Sequence, residues 1–282
     1  MIKVLVTGKT GFVGKNMLLG LKARYEIIDP SRQELDLKDG NAVRTFLENN
    51  KMDVILHLAN PNPVKNTLDS QSTLFQDSLR IFFNFYTNRE LFGKMIYLGS
   101  GAEFDKSKDI INATEIEFGR SIPQDEYGFA KYIMNELCIK SSNIYNFRIM
   151  ACFGPYDHES KFITHAINCC LRNKVITIRQ DCWFDYMHVQ DLTNIICWGI
   201  ENNLKFNDYN ICSGQRIKLS EIAEIVNELM QGKRGIQILT EGFNKEYTAN
   251  NSRLIEELSG YEFISIREGI ERQIAWQRSN KL

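Results

Sequence analysis

The segment that most restricts the fold stands near the start. "IKVLVTGKTGFVGKN" runs from a short, β-branched apolar stretch into glycine and at once into the helical pattern "FVGKNMLLGLKARY". Strand, tight turn and helix in that order make the first half of a βαβ unit. Gly8, Gly11 and Gly14 fall between the two elements. Gly8 suits the turn, Gly11 leaves room for backbone N–H groups to approach a pyrophosphate, and Gly14 lets the helix pack closely on the sheet. Loops collect glycine for many reasons, but a triplet placed between a buried strand and a helix predicts dinucleotide binding, with Thr10, Phe12 and Val13 in the same turn.

The alternation then continues. "EIIDP" reads as a second strand, 41–49 as a helix, and "DVILHLA" as a strand apolar enough to be covered on both faces. A helix from about 68 to 91, the strand "KMIYLGS", a helix around Tyr127 and the strand "NIYNFRIM" follow. Sustained βαβα order predicts an α/β protein with a Rossmann-type, doubly wound parallel sheet. Beyond "FGPYDHESK" the elements shorten and mix: a helix at 162–172, strands at "VITI" and "DYMHV", and helices near Asp191, Ser220 and Arg267. The expected division is a dinucleotide-binding domain over 1–155, rejoined by the segment near 184–212, and a smaller mixed α/β substrate lobe over 156–282. A chain of 282 residues is long enough for two such unequal lobes.

A net charge of −1 and a pI near 6.5 provide no basic field for nucleic acid, which leaves a small molecule as the expected partner. No run is long and apolar enough to cross a bilayer, and "MIKVLVTGKT" has no basic lead into an apolar stretch, so the expectation is a cytoplasmic protein with no membrane partner. Cys138, Cys152, Cys169, Cys170, Cys182, Cys197 and Cys212 are odd in number and show no CxxC spacing; they read as reduced, buried thiols, and no metal site is expected.

The end of the second strand addresses the adenosine ribose and carries two opposed signals. Asp29 would accept a hydrogen bond from a 2'-hydroxyl, as NAD(H) requires, whereas Arg32 offers a forked cation to the 2'-phosphate of NADP(H), with Lys9 near enough in sequence to assist. The balance favours NADP(H), with NAD(H) as the alternative. Asp36 and Leu37 sit where an adenine contact falls, and Leu58, Ala59 and Met150 complete the expected cofactor set. In "QDEYGFAKYIMNE", Tyr127 and Lys131 lie four apart and share a helix face. On spacing alone, a surface pair and a catalytic pair both remain open.

In order along the chain, "TGKTGFVG", "HLAN", "YLGS", "YGFAK", "RIMACFGP", "FDYMHVQDL" and "YNICSGQRIKLSEIAEIV" resemble the motifs of the extended short-chain dehydrogenases/reductases, over most of its length. The resemblance implies that Tyr127 exchanges a proton with a sugar oxygen while hydride moves at the nicotinamide. It implies that Lys131 holds the nicotinamide ribose and, together with the positive nicotinamide of the oxidised cofactor, lowers the Tyr127 pKa from its usual value of about 10. Ser100 would donate to the reacting carbonyl. Relatives commonly dimerise through two helices, here about 68–91 and 125–141, so a homodimer is expected.

Departures from the motifs narrow the reaction. Dehydratases of this kind carry Asp-Glu after the catalytic Thr or Ser; Gly101 and Ala102 stand there instead, and Glu103 is expected as a substrate contact or a surface residue. "SRQELDLKDGNAVRTFLENNKMDVILHLAN" resembles the ketoreductase branch, GDP-fucose synthase and its dTDP-sugar relatives. The epimerising Cys and His of fucose synthase align with Ala102 and Lys161, which implies simple reduction of a nucleotide-diphosphate-linked 4-keto-6-deoxyhexose. His158 and His165 keep a nucleotide-sugar epimerase as an alternative, and a non-catalytic NADP-binding sensor is a second. Phe184 replaces the Arg of the relatives' Arg-Asp-Phe stretch, leaving Lys161, Arg179 and Arg253 as candidate diphosphate cations, with Phe162 beside them. Trp183 and Phe184 offer stacking surface to a base.

Overall fold

The structure, a computed structural model, describes residues 1–61, 73–232 and 235–280. It divides into two compact units: the first comprises 1–105, 117–148 and 195–209, the second 106–116, 149–194 and 210–282.

The first unit is built on β1 (Lys3–Thr7), whose Val4, Leu5 and Val6 are almost wholly buried, as a strand covered on both faces must be. Gly11 leads into α1 (Phe12–Lys22), then β2 (Glu26–Ile28). Asp39 caps α2 (Gly40–Asn49) by accepting from the N–H groups of Asn41 and Ala42. β3 (Met52–His57) follows, then α3 (Leu74–Tyr86), β4 (Phe92–Ser100), α4 (Glu126–Cys138), β6 (Ile144–Ile149) and, after the excursion into the second unit, β10 (Asp208–Ile211). Positions 68–72 of the expected long helix lie outside the described residues; its described part ends at Tyr86, with a 3-10 turn at Arg89–Leu91 before β4. The sheet order is β10-β6-β4-β3-β1-β2, and β1 runs parallel to both β2 and β3, as β3 does to β4. This is the doubly wound, Rossmann-like arrangement read from the alternation. Leu5, Ile55, Met95, Phe82, Phe85 and Met134 pack between sheet and helices.

The second unit contains β5 (Ile110–Ala113), β7 (Ala151–Phe153), β8 (Ile176–Asp181), β9 (Trp183–His188), β11 (Arg216–Lys218), β12 (Ile236–Phe243) and β13 (Tyr247–Ala249). Its helices are α5 (Phe162–Leu171), the start of α6 (Val189–Glu201) as far as Asn194, α7 (Leu219–Leu229), α8 (Ser252–Glu257) and α9 (Ile266–Asn280). One sheet runs β11-β9-β13-β5, and β12 pairs with β8 in another. Ile163, Ile167, Ile178, Ile222, Val226 and Ile270 form the unit's own core.

The division differs from the expected 1–155 and 156–282. The second unit begins at 149 and also takes 106–116, because β5 finds its partner in β13, far along the chain. Of the segment near 184–212, only 195–209 lies in the first unit. No helix among the described residues is long and apolar enough to cross a membrane.

Candidate active site

The glycine turn is held by contacts only glycine permits. Gly8 has φ +74°, and a Cβ there would lie 2.6 Å from the Ala59 nitrogen; one on Gly14 would lie 2.5 Å from the Gly8 oxygen. The backbone of 58–59, after β3, is thus brought directly against the turn. Thr7 fastens it: its hydroxyl accepts from Ala59 N–H at 3.1 Å and meets His57 Nδ1 at 3.1 Å. Burial, and then the nearby Lys131 charge, push His57 down to about 3, so the ring is neutral and adds no charge. The sequence did not pair Thr7 with His57, since the two lie 50 residues apart. α1 follows Gly11 with no side-chain cap and no acidic residue in its first turn. Its amides and the positive end of the helix are therefore available to an anion, which suits the pyrophosphate of a dinucleotide. Gly11 and Thr10 are exposed, while Phe12 and Val13 are half-buried.

At the end of β2, Asp29 is drawn into a lysine clamp. Its carboxylate lies 2.9 Å from Lys22 Nζ and 3.8 Å from Lys9 Nζ, and Lys9 also donates to the Asp29 carbonyl. Arg32 is exposed in the following turn. Asp36 accepts from Lys38 N–H at 3.0 Å, and the Leu37 carbonyl accepts from Asn84 at 2.8 Å, which fixes this loop against α3. Met150 is buried in the second unit, its N–H directed at the Ile211 carbonyl.

Ser100, Tyr127 and Lys131 come together at the C-terminal end of β4. Asp125 caps α4 by accepting from Gly128 N–H at 2.9 Å, which starts the helix just before Tyr127. Gly128 lets the helix approach: a Cβ there would fall 2.8 Å from the Ala102 carbonyl oxygen. Lys131, 3% exposed, donates to the Leu98 carbonyl at 2.7 Å and lies 4.4 Å from the Tyr97 ring centroid and 5.8 Å from that of Tyr127. Burial lowers Lys131 to about 8 against the opposing pull of Glu103. Tyr127 is half-buried, and within the chain itself burial raises its pKa, a hydrogen bond from Ser100 works the other way, and Glu103 and Asp125 add to the rise. The phenol is therefore held protonated.

The expected substrate residues are dispersed. Glu103 is neither surface nor available to a ligand: it is 0% exposed, with its oxygens committed to Ser100 N–H, Asn146 and Arg148. Lys161 is exposed at the start of α5, Phe162 packs on the second unit's core, and Arg179 is exposed on β8. Arg253 lies 4.0 Å from Glu115. His158 meets Ser160 at 2.8 Å, and His165 Nε2 lies 3.4 Å from Cys169 Sγ. A pair that sequence reading missed is Arg216 and Lys218, alternate residues of β11, whose cations lie 3.8 and 4.8 Å from the Trp183 ring centroid. The R-x-K alternation was the available signal, but only the antiparallel register of β11 on β9 sets it over Trp183.

A parallel sheet with an open glycine turn at a helix start is the architecture of a dinucleotide-binding α/β protein. The model of the NAD dependent epimerase/dehydratase family matches residues 4–212, well over half of the chain, and the protein belongs to that family. It is similar to the GDP-L-colitose synthase of Yersinia pseudotuberculosis, at 24% identity over 303 residues covering 96% of each chain. Among solved structures, it resembles a GDP-L-fucose synthetase from Naegleria fowleri bound to NADP, with TM-score 0.84 and 16% identity over 99% of this chain and 94% of that one. It also resembles a GDP-mannoheptose C4 reductase from Campylobacter jejuni with NADP bound, with TM-score 0.82 and 18% identity over 98% of both. At these identities the structural likeness establishes the fold.

Proposed function

We propose that the protein is an NAD(P)-dependent oxidoreductase that reduces the 4-keto group of a nucleotide-diphosphate-linked 4-keto-6-deoxyhexose, a GDP-sugar before a dTDP-sugar. The observation that carries this reading is the Ser100, Tyr127 and Lys131 cluster with a protonated tyrosine. A ketone becoming an alcohol needs a proton donor at its oxygen, and a phenol that burial keeps neutral is in the required state. The reduced nicotinamide, when bound, supplies the hydride. Tyr127 delivers its proton to the sugar oxygen, and the Ser100 hydroxyl donates to the same oxygen as negative charge develops there. Lys131 holds a positive charge beside the phenol and stabilises the phenolate left behind. Ala102, 1% exposed, offers no second acid or base next to Ser100, which supports reduction without dehydration or epimerisation.

NADPH is the preferred donor in this reading. The Asp29 carboxylate is held by Lys22 and Lys9 and would not face a 2'-phosphate as a bare negative charge. The GDP preference rests on the nucleotide named for the similar proteins above. The reading includes a homodimer through α3 and α4, where Phe83 and Phe129 keep 36% and 37% of their surface exposed.

The test is a mixing experiment. NADPH absorbance is followed after adding GDP- and dTDP-linked 4-keto-6-deoxy sugars, and it should fall with the GDP-sugar. No consumption with any of them would refute the proposal, and new sugar product without cofactor consumption would indicate epimerisation instead.

A further inference from the structure

The turn after β4 contains a carboxylate to which the reduction chemistry assigns no task. Glu103 is fully buried, as are Arg148 and Asn146 beside it. Its Oε1 accepts from the Ser100 N–H at 2.9 Å, and its Oε2 accepts from Arg148 Nε at 2.7 Å and from Asn146 Nδ2 at 2.9 Å. Arg148 extends a second nitrogen to Asp208 at 2.9 Å, and its guanidinium lies 4.6 and 5.5 Å from the ring centroids of Phe104 and Phe118. The strand makes room for the group, since a Cβ on Gly99 would fall 2.3 Å from Glu103 Oε1 and 2.0 Å from Asn146 Oδ1. Buried ion pairs are weak contributors to stability, and apolar side chains of similar volume usually serve as well or better. What an apolar group cannot do is accept from Ser100 N–H while placing a negative charge beside Lys131 and Tyr127.

We propose that Glu103 is a positioning residue of the reduction site, fixing Ser100 through its backbone so that the hydroxyl is presented between Tyr127 and the reacting carbonyl, and bringing a carboxylate beside the Tyr127 and Lys131 pair. This rests on the ketoreductase reading above. The geometry gives the mechanism: with Glu103 on the Ser100 N–H and the Ser100 oxygen accepting from Ala102 N–H at 3.2 Å, the one hydroxyl proton remains to be donated. The Glu103 charge raises both Tyr127 and Lys131, favouring the protonated forms that reduction uses. The other titratable groups around the pair are Tyr97 on β4, His57 on β3, and Asp125 and Cys138 on α4, with Arg148 and Asp208 behind Glu103.

Glu103→Gln and Glu103→Asp, in the full chain, are assayed with NADPH and the 4-keto sugar across pH. Glu103→Gln should lower kcat roughly ten- to a hundredfold with KM within about twofold, the penalty of a misaligned donor. It should also move the alkaline limb of the kcat profile acidward by about half a pH unit or more, because the charge opposing deprotonation is gone. Glu103→Asp keeps the charge but is one methylene short of Ser100, so kcat should fall while the limb stays in place. Wild-type kcat and profile in both variants would overturn the proposal. So would a loss in kcat matched by equal losses of NADPH binding and cooperative melting, which is the mark of a purely structural role. If Glu103→Gln fails to fold, Glu103→Asp decides alone, and full kcat there overturns the idea. Ser100→Ala and Tyr127→Phe run alongside: if these turn over normally the ketoreductase reading itself falls, whereas their failure with a normal Glu103→Gln removes only Glu103.

Discussion

Replacing Arg32 by alanine isolates the question of which ribose the site reads. Arg32 is exposed on the turn after β2, close in sequence to a carboxylate already clamped by lysines at 2.9 and 3.8 Å. A charge-assisted hydrogen bond between guanidinium and phosphate is worth about 1.5 to 3 kcal/mol, and an exposed partner belongs at the lower end. At about 1.4 kcal/mol for each factor of ten, kcat/KM for NADPH should fall roughly tenfold. NADH lacks the phosphate and should change less than about twofold on the same reasoning. Asp29→Ala provides the opposite arm: it releases Lys9 and Lys22 from their carboxylate, so NADPH use should hold or improve. The assay is initial velocity with each cofactor at saturating sugar. An Arg32→Ala enzyme that loses NADPH and NADH equally, or an Asp29→Ala enzyme crippled with NADH alone, would mean that Asp29 reads a ribose hydroxyl and that the clamp is incidental.

Three further outcomes follow from the site. Tyr127→Phe should retain NADPH binding, measured by fluorescence titration, and lose at least about a hundredfold in kcat, the usual share of a general acid. Reduction should decline as pH rises through about 8, where Lys131 loses its proton, and Lys131→Met should abolish that limb in a kcat profile. Because burial depresses this lysine from 10.5, the unfolded chain binds more protons between about 8 and 10.5, so the Lys131 contribution to stability grows with pH over that window, as urea unfolding of wild type against Lys131→Met should show. Gly8→Ala forces a side chain into left-handed backbone and against the Ala59 nitrogen at 2.6 Å, so it should cost more than the roughly 1 to 2 kcal/mol of the backbone strain alone and lower Tm by several degrees in a calorimeter.

The features legible in the chain are those whose causes are local. A glycine triplet between strand and helix, and Tyr127 four residues before Lys131, depend on spacing within one turn or one helix, and the structure places them as that spacing requires. Glu103 could not be read this way. Its partners Asn146 and Arg148 lie 43 and 45 residues away, so a charged residue in a loop looked solvated although it is 0% exposed. The direction of the Tyr127 shift within the chain itself was also hidden, because it depends on how much protein surrounds the phenol more than on the lysine beside it. The strand at Ile110–Ala113 escaped notice because its partner, Tyr247–Ala249, lies far along the chain and supplies the pairing. Arg216 and Lys218 needed a sheet register before their common target, Trp183, was visible.

The first unit is discontinuous, its last stretch being 195–209. During synthesis the ribosome releases β1 through β6 well before Asp208, the second carboxylate on buried Arg148, and before β10 closes the edge of the sheet beside β6. Until then Arg148 lacks its contact with Asp208 and the flank of β6 is open to other strands, a state prone to mispairing. A nascent chain stopped short of about 209 should therefore remain bound to chaperones, however complete its glycine turn and its Tyr127 helix. Commitment of the nucleotide-binding half thus waits for nearly three quarters of the polypeptide to emerge.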